Sequence, residues 1–294
     1  EEVGRVIAPE PVVVTVGLSL GLLRRLCPDH AMMEQLVEGA TVLAVAWQER
    51  GPNGGPAEPS CRYADGKLTG SKGWVAGAGG ARGFLVVAEG DAGPVLVLAE
   101  AGADGLSVEE RRQADGSAMG ELSFSGTPAG ELASGGAVRA ALAEAVNDAT
   151  ALAAAELVGL SERAFEITLD YIKTREQFDK PIGSFQVIQH RAVDLNVMCE
   201  VAQSGVREAL GLMDRETDPK ARARLASRAK ARAVTAAKKI TRDAIQLHGA
   251  VGYTDEFEIA LYLNRALVLS AWLGDDAYHR RLWFEAREEE GAAQ

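Results

Sequence analysis

Four residues in the second half of the chain have types and positions that suit a large phosphorylated ligand. Arg175 comes at the end of a long apolar helical pattern, where a guanidinium can bind a phosphate and also neutralise the negative end of the helix. Phe178 offers a flat apolar face for an aromatic ring. Gln246 can donate and accept hydrogen bonds, and Gly249 allows a ligand to approach the backbone closely. Taken one at a time, such residues more often serve as helix caps, surface charges or simple turns.

Three regions with different periodicity must position these residues. Residues 1–42 hold short apolar runs broken by proline and glycine, which predicts an N-terminal helical region, and we expect it to be incomplete because the chain starts as if part-way through a helix. In residues 43–136, Asp-Gly pairs separate short β-like runs, which predicts an antiparallel middle β-domain. Residues 137–294 carry four long apolar-periodic stretches, the last from about Glu256 to Arg287, which predicts a four-helix bundle and an α+β fold class.

The composition restricts the classes of protein to which the chain can belong. Its 294 residues carry a formal net charge of -11, which argues against general binding to nucleic acid or to an anionic membrane. No apolar stretch is long enough to span a bilayer. Cys27, Cys61 and Cys199 are scattered and include no C-x-x-C pair, so neither a disulfide framework nor a zinc site is expected. We therefore expect a cytoplasmic protein without a metal.

Eight basic side chains crowd the third of the predicted bundle helices. In an acidic protein such a concentration of charge is typically a solvated helix face, and we predict that role here. The alternative is contact with a phosphorylated ligand or with an acidic neighbouring protein. The eight residues are Arg222, Arg224, Arg228, Lys230, Arg232, Lys238, Lys239 and Arg242.

Two stretches, Tyr171–Gln186 and Ile245–Tyr253, closely resemble the C-terminal signatures of the acyl-CoA dehydrogenase family. The order of helical region, β-domain and bundle is also that of the family, with truncated N-terminal helices, and the resemblance covers nearly the whole chain. It implies an FAD-dependent oxidoreductase of lipid metabolism that dehydrogenates an acyl-CoA between Cα and Cβ. It further implies that six residues hold the adenine–pyrophosphate arm of an FAD that sits mainly in the neighbouring subunit. These six are Arg175, Phe178, Gln186, Gln246, Gly249 and Ala250.

The catalytic base that the resemblance implies is absent from both of its usual positions. The reaction needs a carboxylate beside Cα in a water-poor pocket, where its basicity is raised. Matching the Glu-Gly-Thr type loop of most members places Leu273 where the Glu should be, and the position that other members use on the first bundle helix is Ala149. Asp148 and Asp275 lie nearby and are weak alternatives. Glu156 is two helical turns from residue 149 and is expected to be structural.

The seat for the flavin ring in the β-domain also departs from the family pattern. The Thr-Glu-Pro segment, whose Thr bonds the flavin, is replaced by Gln48–Arg50, and the Gly-Ser-Asp that follows has no clear match in Gly51–Ser60. The Trp-x-Thr strand that backs the flavin survives as Trp74–Ala76, so its hydroxyl is missing. Trp74 can still back a ring, although a tryptophan on a strand is more often a core residue.

These losses are correlated, since residues that hold a neighbour's FAD are kept and those that run chemistry in the chain's own pocket are altered. The pattern resembles the short, supporting subunit of α2β2 bacterial acyl-CoA dehydrogenases that act on CoA esters of steroid side chains. We therefore predict a non-catalytic subunit, inactive alone, that completes the FAD site of a catalytic partner subunit. A steroid side-chain CoA substrate and an electron-transfer flavoprotein as acceptor follow from the resemblance, while branched or aromatic acyl groups stay open. Two alternatives also stay open: a self-sufficient homo-oligomeric dehydrogenase with a displaced base, and a flavin-free acyl-CoA-binding or scaffolding protein.

Overall fold

The chain folds into two compact units. The first comprises residues 10–149, and the second comprises residues 1–9 together with the chain from Thr150 onward. The predicted α+β fold class is confirmed, since the first unit is built on a sheet and the second on helices. The predicted division into three domains, with limits at residues 42 and 136, stays a prediction. The computed structural model describes residues 1–49, 60–254 and 256–292.

Short helices occupy the start of the chain, as predicted. Helix α1 (Glu2–Arg5) belongs to the second unit. In the first unit a π-helical segment at Val14–Ser19 leads directly into α2 (Leu20–Leu26), and α3 (Met32–Val37) follows. Leu22 is fully buried, and burial of such a side chain contributes about 1.5–3 kcal/mol to the stability of this unit.

The core of the first unit is one sheet of eight strands among the described residues. They are β1 (Leu43–Ala46), β2 (Arg62–Ala64), β3 (Lys67–Ala76), β4 (Gly83–Gly90), β5 (Gly93–Glu100), β6 (Leu106–Arg112), β7 (Ala118–Pro128) and β8 (Gly130–Ser134). Seven of them follow the order β6-β7-β3-β2-β4-β5-β8, and β1 pairs with β4. Helix α4 (Gly136–Thr174) comes next and contributes residues to both units.

The sheet is mostly antiparallel, as predicted, but it also contains parallel pairs. Strand β1 runs parallel to β4, with Leu43 opposite Gly83, and β2 makes one parallel pair with β4 through Arg62 and Glu89. All four residues of β1 are buried apolar residues. A continuous buried run of this kind is typical of strands in parallel pairs, which are covered on both faces. The remaining pairs among the described strands are antiparallel.

The Asp-Gly pairs form turns, as predicted. Asp65 and Gly66 make the two-residue connection between β2 and β3, with φ angles of 50° and 76°. Positive φ at both positions is what a type I′ hairpin turn requires, which explains the residue types. The pair at 104–105 directly precedes β6, and the pair at 115–116 lies between β6 and β7.

Helices form the second unit. After the last part of α4 come α5 (Gln186–Met213), α6 (Pro219–His248), α7 (Ile259–Ala271) and α8 (Asp276–Ala292). The single predicted helix from Glu256 to Arg287 is therefore wrong, because the chain leaves the helical conformation between α7 and α8. Leu273 and Gly274 have φ angles of 63° and 100° there, far from the helical value.

Apolar side chains on two faces of α4 are buried in this unit. Leu157 and Leu160 lie on one face and Val158 on another, and all three are at most 2% exposed. They belong to one apolar core with residues of α5, α6 and α7, such as Leu195 and Ile240. None of the described helices combines the length and the continuous apolar character needed to cross a membrane.

One glycine of α4 allows the first residues of the chain to lie directly against that helix. A Cβ on Gly159 would overlap the backbone carbonyl group of Glu1. Two further contacts fix the crossing: Arg5 donates to both carboxylate oxygens of Glu166 at 2.8 and 2.9 Å, and the Tyr262 hydroxyl donates to the carbonyl oxygen of Arg5 at 2.9 Å. Close backbone packing at Gly159 is thus needed for residues 1–9 to join the second unit.

Substituting this glycine tests that contact. Gly159→Ala is expected to lower the free energy of unfolding by about 1–3 kcal/mol, because the added methyl group forces the backbones apart. Gly205→Ala in α5 is the matched control, since a Cβ there meets nothing within 4 Å. We expect the control to be neutral or to stabilise by up to about 1 kcal/mol. Urea-unfolding midpoints compare the two variants, and equal effects would contradict the proposed close contact.

Candidate functional site

A tight hairpin follows α4 and presents an aromatic ring to solvent. Strand β9 (Glu176–Gln177) pairs with β10 (Lys180–Pro181), and Phe178 and Asp179 make the two-residue turn with φ angles of 55° and 60°. Residues other than glycine adopt this left-handed conformation at a cost of about 1–2 kcal/mol each. Phe178 is nevertheless 86% exposed. A strained turn that holds an apolar ring in water is typical of a ligand-binding position.

Arg175 lies at the junction between α4 and this hairpin. Its backbone N–H donates to the carbonyl oxygen of Tyr171 at 2.8 Å, and its own carbonyl oxygen accepts from the Ile182 N–H at 2.8 Å. These bonds fix the backbone at the end of the helix. The side chain is exposed, and the described residues provide no hydrogen-bond or ion-pair partner for its guanidinium. It is therefore available to an anionic ligand.

The end of α6 offers polar and backbone groups. Gln246 is exposed in the last turn, and Gly249 ends the helix with a φ of 68°, donating its N–H to the carbonyl oxygens of Gln246 and Ile245. Nothing lies within 4 Å of a Cβ on Gly249, so a ligand can approach the backbone there. Ala250 is exposed beside it, and Gln186 is exposed as the first residue of α5.

An aromatic cluster joins the end of α4 to the end of α6. The rings of Tyr171 and His248 stack with centroids 4.3 Å apart, and the Tyr171 hydroxyl donates to the His248 carbonyl oxygen at 3.2 Å. Phe257 packs against both rings. Burial lowers the pKa of His248, so the ring is neutral and its Nδ1–H donates to the Ala244 carbonyl oxygen at 2.7 Å. The cluster brings Arg175 and Gln246 to the same end of the bundle.

The predicted base position on α4 is closed. Ala149 is fully buried, and Gly17 of the π-helical segment packs directly on it: a Cβ on Gly17 would lie 2.7 Å from the Ala149 Cα and 2.8 Å from its Cβ. Thr150 beside it is also buried. The space that a glutamate side chain would need at position 149 is therefore taken up by backbone.

Asp148, the neighbouring candidate base, is held in ion pairs. Its carboxylate accepts from Arg25 at 2.8 Å and lies 3.9 Å from Arg24. Arg25 is itself anchored, since it also donates to the carbonyl oxygen of Gly21 at 2.9 Å and lies 3.9 Å from Glu144. Paired in this way, the Asp148 carboxylate holds helix α2 against α4.

The predicted base position before α8 is closed as well. Leu273 is 1% exposed, and its carbonyl oxygen accepts a hydrogen bond from His279 Nε2 at 2.9 Å. Asp275, the candidate base nearby, caps α8 by accepting from the backbone N–H of Tyr278 at 2.8 Å. Glu156 pairs with Arg265 at 2.6 Å and is 2% exposed, in line with the structural role expected for it.

A buried lysine holds the segment around Leu273, although the sequence predicted a solvated position for it. Lys230 is fully buried rather than part of a solvated face, so that prediction is wrong for this residue. Its Nζ donates to the carbonyl oxygens of Leu269 at 2.6 Å and Trp272 at 2.8 Å. Burial lowers its pKa to about 7, against the opposing effect of Glu156. Lys230 thus caps the end of α7 and fixes the segment around Leu273.

His279 completes this cluster. Burial, together with the charge of Lys230, lowers its pKa to about 4, so the ring is neutral at physiological pH. Its Nε2 bonds the carbonyl oxygen of Leu273, which assigns the proton to that nitrogen. Nδ1 then accepts from the Ser227 hydroxyl at 3.2 Å. Lys230 of α6 and His279 of α8 therefore both hydrogen-bond to backbone carbonyl groups at the connection between α7 and α8.

The remaining bases of α6 are distributed over several local partners. Arg228 pairs with Glu208, Lys238 with Asp276, and Lys239 with Asp243. Arg232 and Arg242 are exposed and have no ion-pair partner among the described residues. The prediction of a solvated face thus holds for the outward-facing members and is wrong for Lys230.

The predicted seat for a flavin ring is occupied in part by an ion pair. Glu49 pairs with the fully buried Lys72 and accepts hydrogen bonds from Ser60. Trp74 is 49% exposed, so a core role, the commoner one for a strand tryptophan, is wrong here. Arg50 and residues 51–59, on which part of the comparison with the flavin seat depended, lie outside the described residues.

Comparison with known proteins gives one family. The model of the acyl-CoA dehydrogenase C-terminal domain matches residues 138–286. The acyl-CoA dehydrogenase IpdE2 of Mycolicibacterium smegmatis is 37% identical over 118 residues, which is 40% of this chain and 35% of the relative. The acyl-CoA dehydrogenase FadE27 of Mycobacterium tuberculosis is 28% identical over 273 residues, or 90% of this chain and 72% of the relative. The alignment with IpdE2 thus spans about a third of that protein.

Solved structures share the fold over the full length. The Tcur3481-Tcur3483 steroid ACAD G363A variant is 28% identical, with a TM-score of 0.87 over 100% of this chain and 80% of that chain. The ChsE4-ChsE5 complex from Mycobacterium tuberculosis, at 24% identity, has a TM-score of 0.84 over 99% of this chain and 78% of that chain. Helices and sheet together, and not the helical part alone, therefore follow this architecture.

The buried lysine makes stability depend on pH. Its pKa is about 7 in the fold against 10.5 when exposed, so between these values the unfolded chain binds more protons. Stability should therefore rise with pH over that range, by up to about 1.4 kcal/mol per pH unit. In Lys230→Met, which has no amine to protonate, this increase of the free energy of unfolding with pH should disappear.

Urea unfolding at pH 7.0, 8.0 and 9.0 measures that slope. Lys173→Met is the matched control, because Lys173 is exposed in the last turn of α4. We expect the control to keep the slope of the wild-type protein. If Lys230→Met keeps it too, the amine is not buried in the folded state.

Proposed function

The chain belongs to the acyl-CoA dehydrogenase family, and we propose that it is the supporting, non-catalytic subunit of an α2β2 FAD-dependent acyl-CoA dehydrogenase. In this role it completes the FAD site of a catalytic partner chain and supplies no base of its own. One contrast supports the role. The groups suited to a cofactor arm are exposed, whereas both positions of the usual base, Ala149 and Leu273, are buried.

The residues at the exposed end of the bundle fit the adenine–pyrophosphate arm of FAD. The Arg175 guanidinium would pair with the pyrophosphate, and Phe178 would cover an apolar ring face. Gln246 would hydrogen-bond the adenine, and the open backbone at Gly249 and Ala250 leaves room for it. Bound FAD supplies the hydride acceptor for the dehydrogenation. Because these groups face solvent rather than a cavity, we propose that the FAD they hold is bound mainly by the partner.

The chain's own catalytic pocket does not fit the chemistry. A base beside Cα has to reach its substrate, and Ala149 is sealed by Gly17 while Leu273 is sealed by the Lys230–His279 cluster. Gln48 stands where the family has a flavin-bonding Thr, and Glu49 beside it is tied to Lys72. We therefore propose that a heterotetramer holds about half an FAD per chain.

The substrate class and the electron acceptor are further parts of the proposal. A solved relative at 28% identity is a steroid ACAD, which supports a CoA ester of a steroid side chain as substrate. An electron-transfer flavoprotein as acceptor follows from membership of the family. We place both in a complex that includes the catalytic partner, since this chain offers no base to the substrate.

Co-purification with the product of the neighbouring acyl-CoA dehydrogenase gene tests the role. Alone, the chain should carry little FAD and dehydrogenate no acyl-CoA; the complex should be yellow, active and contain about half an FAD per chain. Arg175→Gln in this chain should lower FAD retention by about tenfold or more, because a phosphate contact is lost, as a charged hydrogen bond contributes about 1.5–3 kcal/mol. Arg112→Gln, at an exposed position of β6, is the control and should leave retention unchanged.

Full FAD occupancy and turnover by the lone chain would overturn the proposal in favour of a self-sufficient dehydrogenase. Absence of a flavin spectrum even in the complex would favour a flavin-free binding or scaffolding protein.

Restoring the glutamate should not restore activity. Ala149→Glu is expected to destabilise the first unit by at least about 3 kcal/mol, because a carboxylate is forced against the backbone of Gly17 in a buried site. Ala143→Glu, at an exposed position of the same helix, should change the unfolding midpoint little. Turnover of an acyl-CoA by the lone Ala149→Glu chain, with an unchanged midpoint, would show that position 149 is open.

A further inference from the structure

A cleft lies in the helical unit, between α6 and α8. Its volume is about 400 Å³, within the range of pockets that hold small ligands. Arg228 and Arg232 are one helical turn apart on α6, and Arg280 and Phe284 are one turn apart on α8. It is lined by Arg228, Ala231, Arg232, Thr235, Arg280, Trp283 and Phe284.

Cationic groups outnumber acidic ones around this cleft. Arg228 pairs with Glu208 at 2.9 Å, and its Nε is buried without a hydrogen-bond acceptor among the described residues. Arg280 donates to the Thr235 hydroxyl at 2.8 Å and lies 3.7 Å from the Asp276 carboxylate. Arg232 is exposed and has no described partner. A buried donor without an acceptor next to an unpaired guanidinium calls for an anionic acceptor.

Two aromatic rings form the other wall. The rings of Trp283 and Phe284 pack edge to face with centroids 5.0 Å apart. Trp283 is half-buried, whereas Phe284, the next residue of α8, is 59% exposed. An exposed ring beside guanidinium groups provides a stacking surface for a planar group next to an anion-binding surface.

We propose that this cleft binds a nucleoside phosphate, with the phosphate on Arg228, Arg232 and Arg280 and the base against Phe284. The site is separate from the proposed FAD-binding end of the bundle, which carries Arg175, Phe178 and Gln246. Arg228 precedes Gln246 by eighteen residues on α6, a separation of about 27 Å along a straight helix. The two sites therefore cannot share one mononucleotide, and this proposal does not depend on the proposed function.

Isothermal titration of the full chain with ADP, adenosine and inorganic phosphate tests the site. ADP should bind at least about tenfold more tightly than inorganic phosphate, and adenosine should bind weakly. Arg232→Gln and Phe284→Ala should each weaken ADP binding by about tenfold. Arg112→Gln, at an exposed position of β6 and outside the cleft, is the control and should leave ADP binding unchanged.

Three results would overturn the proposal. Loss of ADP binding in Arg175→Gln but not in Arg232→Gln would assign the ligand to the FAD-binding end. Equal affinity for inorganic phosphate and ADP would mean an adventitious ion only. No binding of ADP by the wild-type chain, alone or in complex with its partner, would leave the cleft without this ligand.

Discussion

The buried amine of Lys230 determines how the two last helices of the chain are joined. Taking a lysine out of water costs several kcal/mol when it is charged, and the lowered pKa of about 7 expresses that cost. Its hydrogen bonds to the carbonyl oxygens of Leu269 and Trp272 offset part of it by satisfying the orphan end of α7. The chain can then turn through a left-handed Leu273, whose carbonyl His279 holds in place. A glutamate loop facing a substrate cannot coexist with this closed arrangement.

At the proposed FAD-binding end, which carries Arg175, Phe178 and Gln246, the polar side chains are exposed rather than buried. There the helix ends are fixed internally by the Tyr171–His248 stack, so the ligand-facing groups need no contacts of their own. Arg175 and Phe178 stay exposed, and the hairpin keeps a left-handed turn although the Phe178 ring, which meets Phe185 edge to face, is 86% exposed. A lone chain gains nothing from such exposure. Under the proposed function, binding the cofactor of a partner would offset the cost of the turn.

Features that depend on residues close in sequence could be predicted, whereas features that depend on contacts between distant segments could not. Asp65 and Gly66 marked a hairpin because the turn chemistry lies in the pair itself. The parallel pairing of β1 was missed because a short strand does not reveal its distant partner. Lys230 was assigned to the solvated face by residue type, although its spacing from Ala226 and Ala233 places it on the buried face of α6. Helical spacing was the signal that could have found it.

The loss of the base on α4 is a backbone feature and not merely a missing side chain. Gly17 and Gly21 bring the π-helical segment and α2 down onto Ala149 and Ala145, where an added Cβ would lie 2.7 to 3.2 Å from its neighbours. Once the two backbones touch, the cavity in which a carboxylate could be desolvated next to a substrate no longer exists. The Arg25–Asp148 ion pair then stabilises the closed form. Under the proposed function, catalysis depends on a second chain that keeps its pocket open, and the exposed end of the bundle at Arg175 and the closed base position then belong to one functional interpretation.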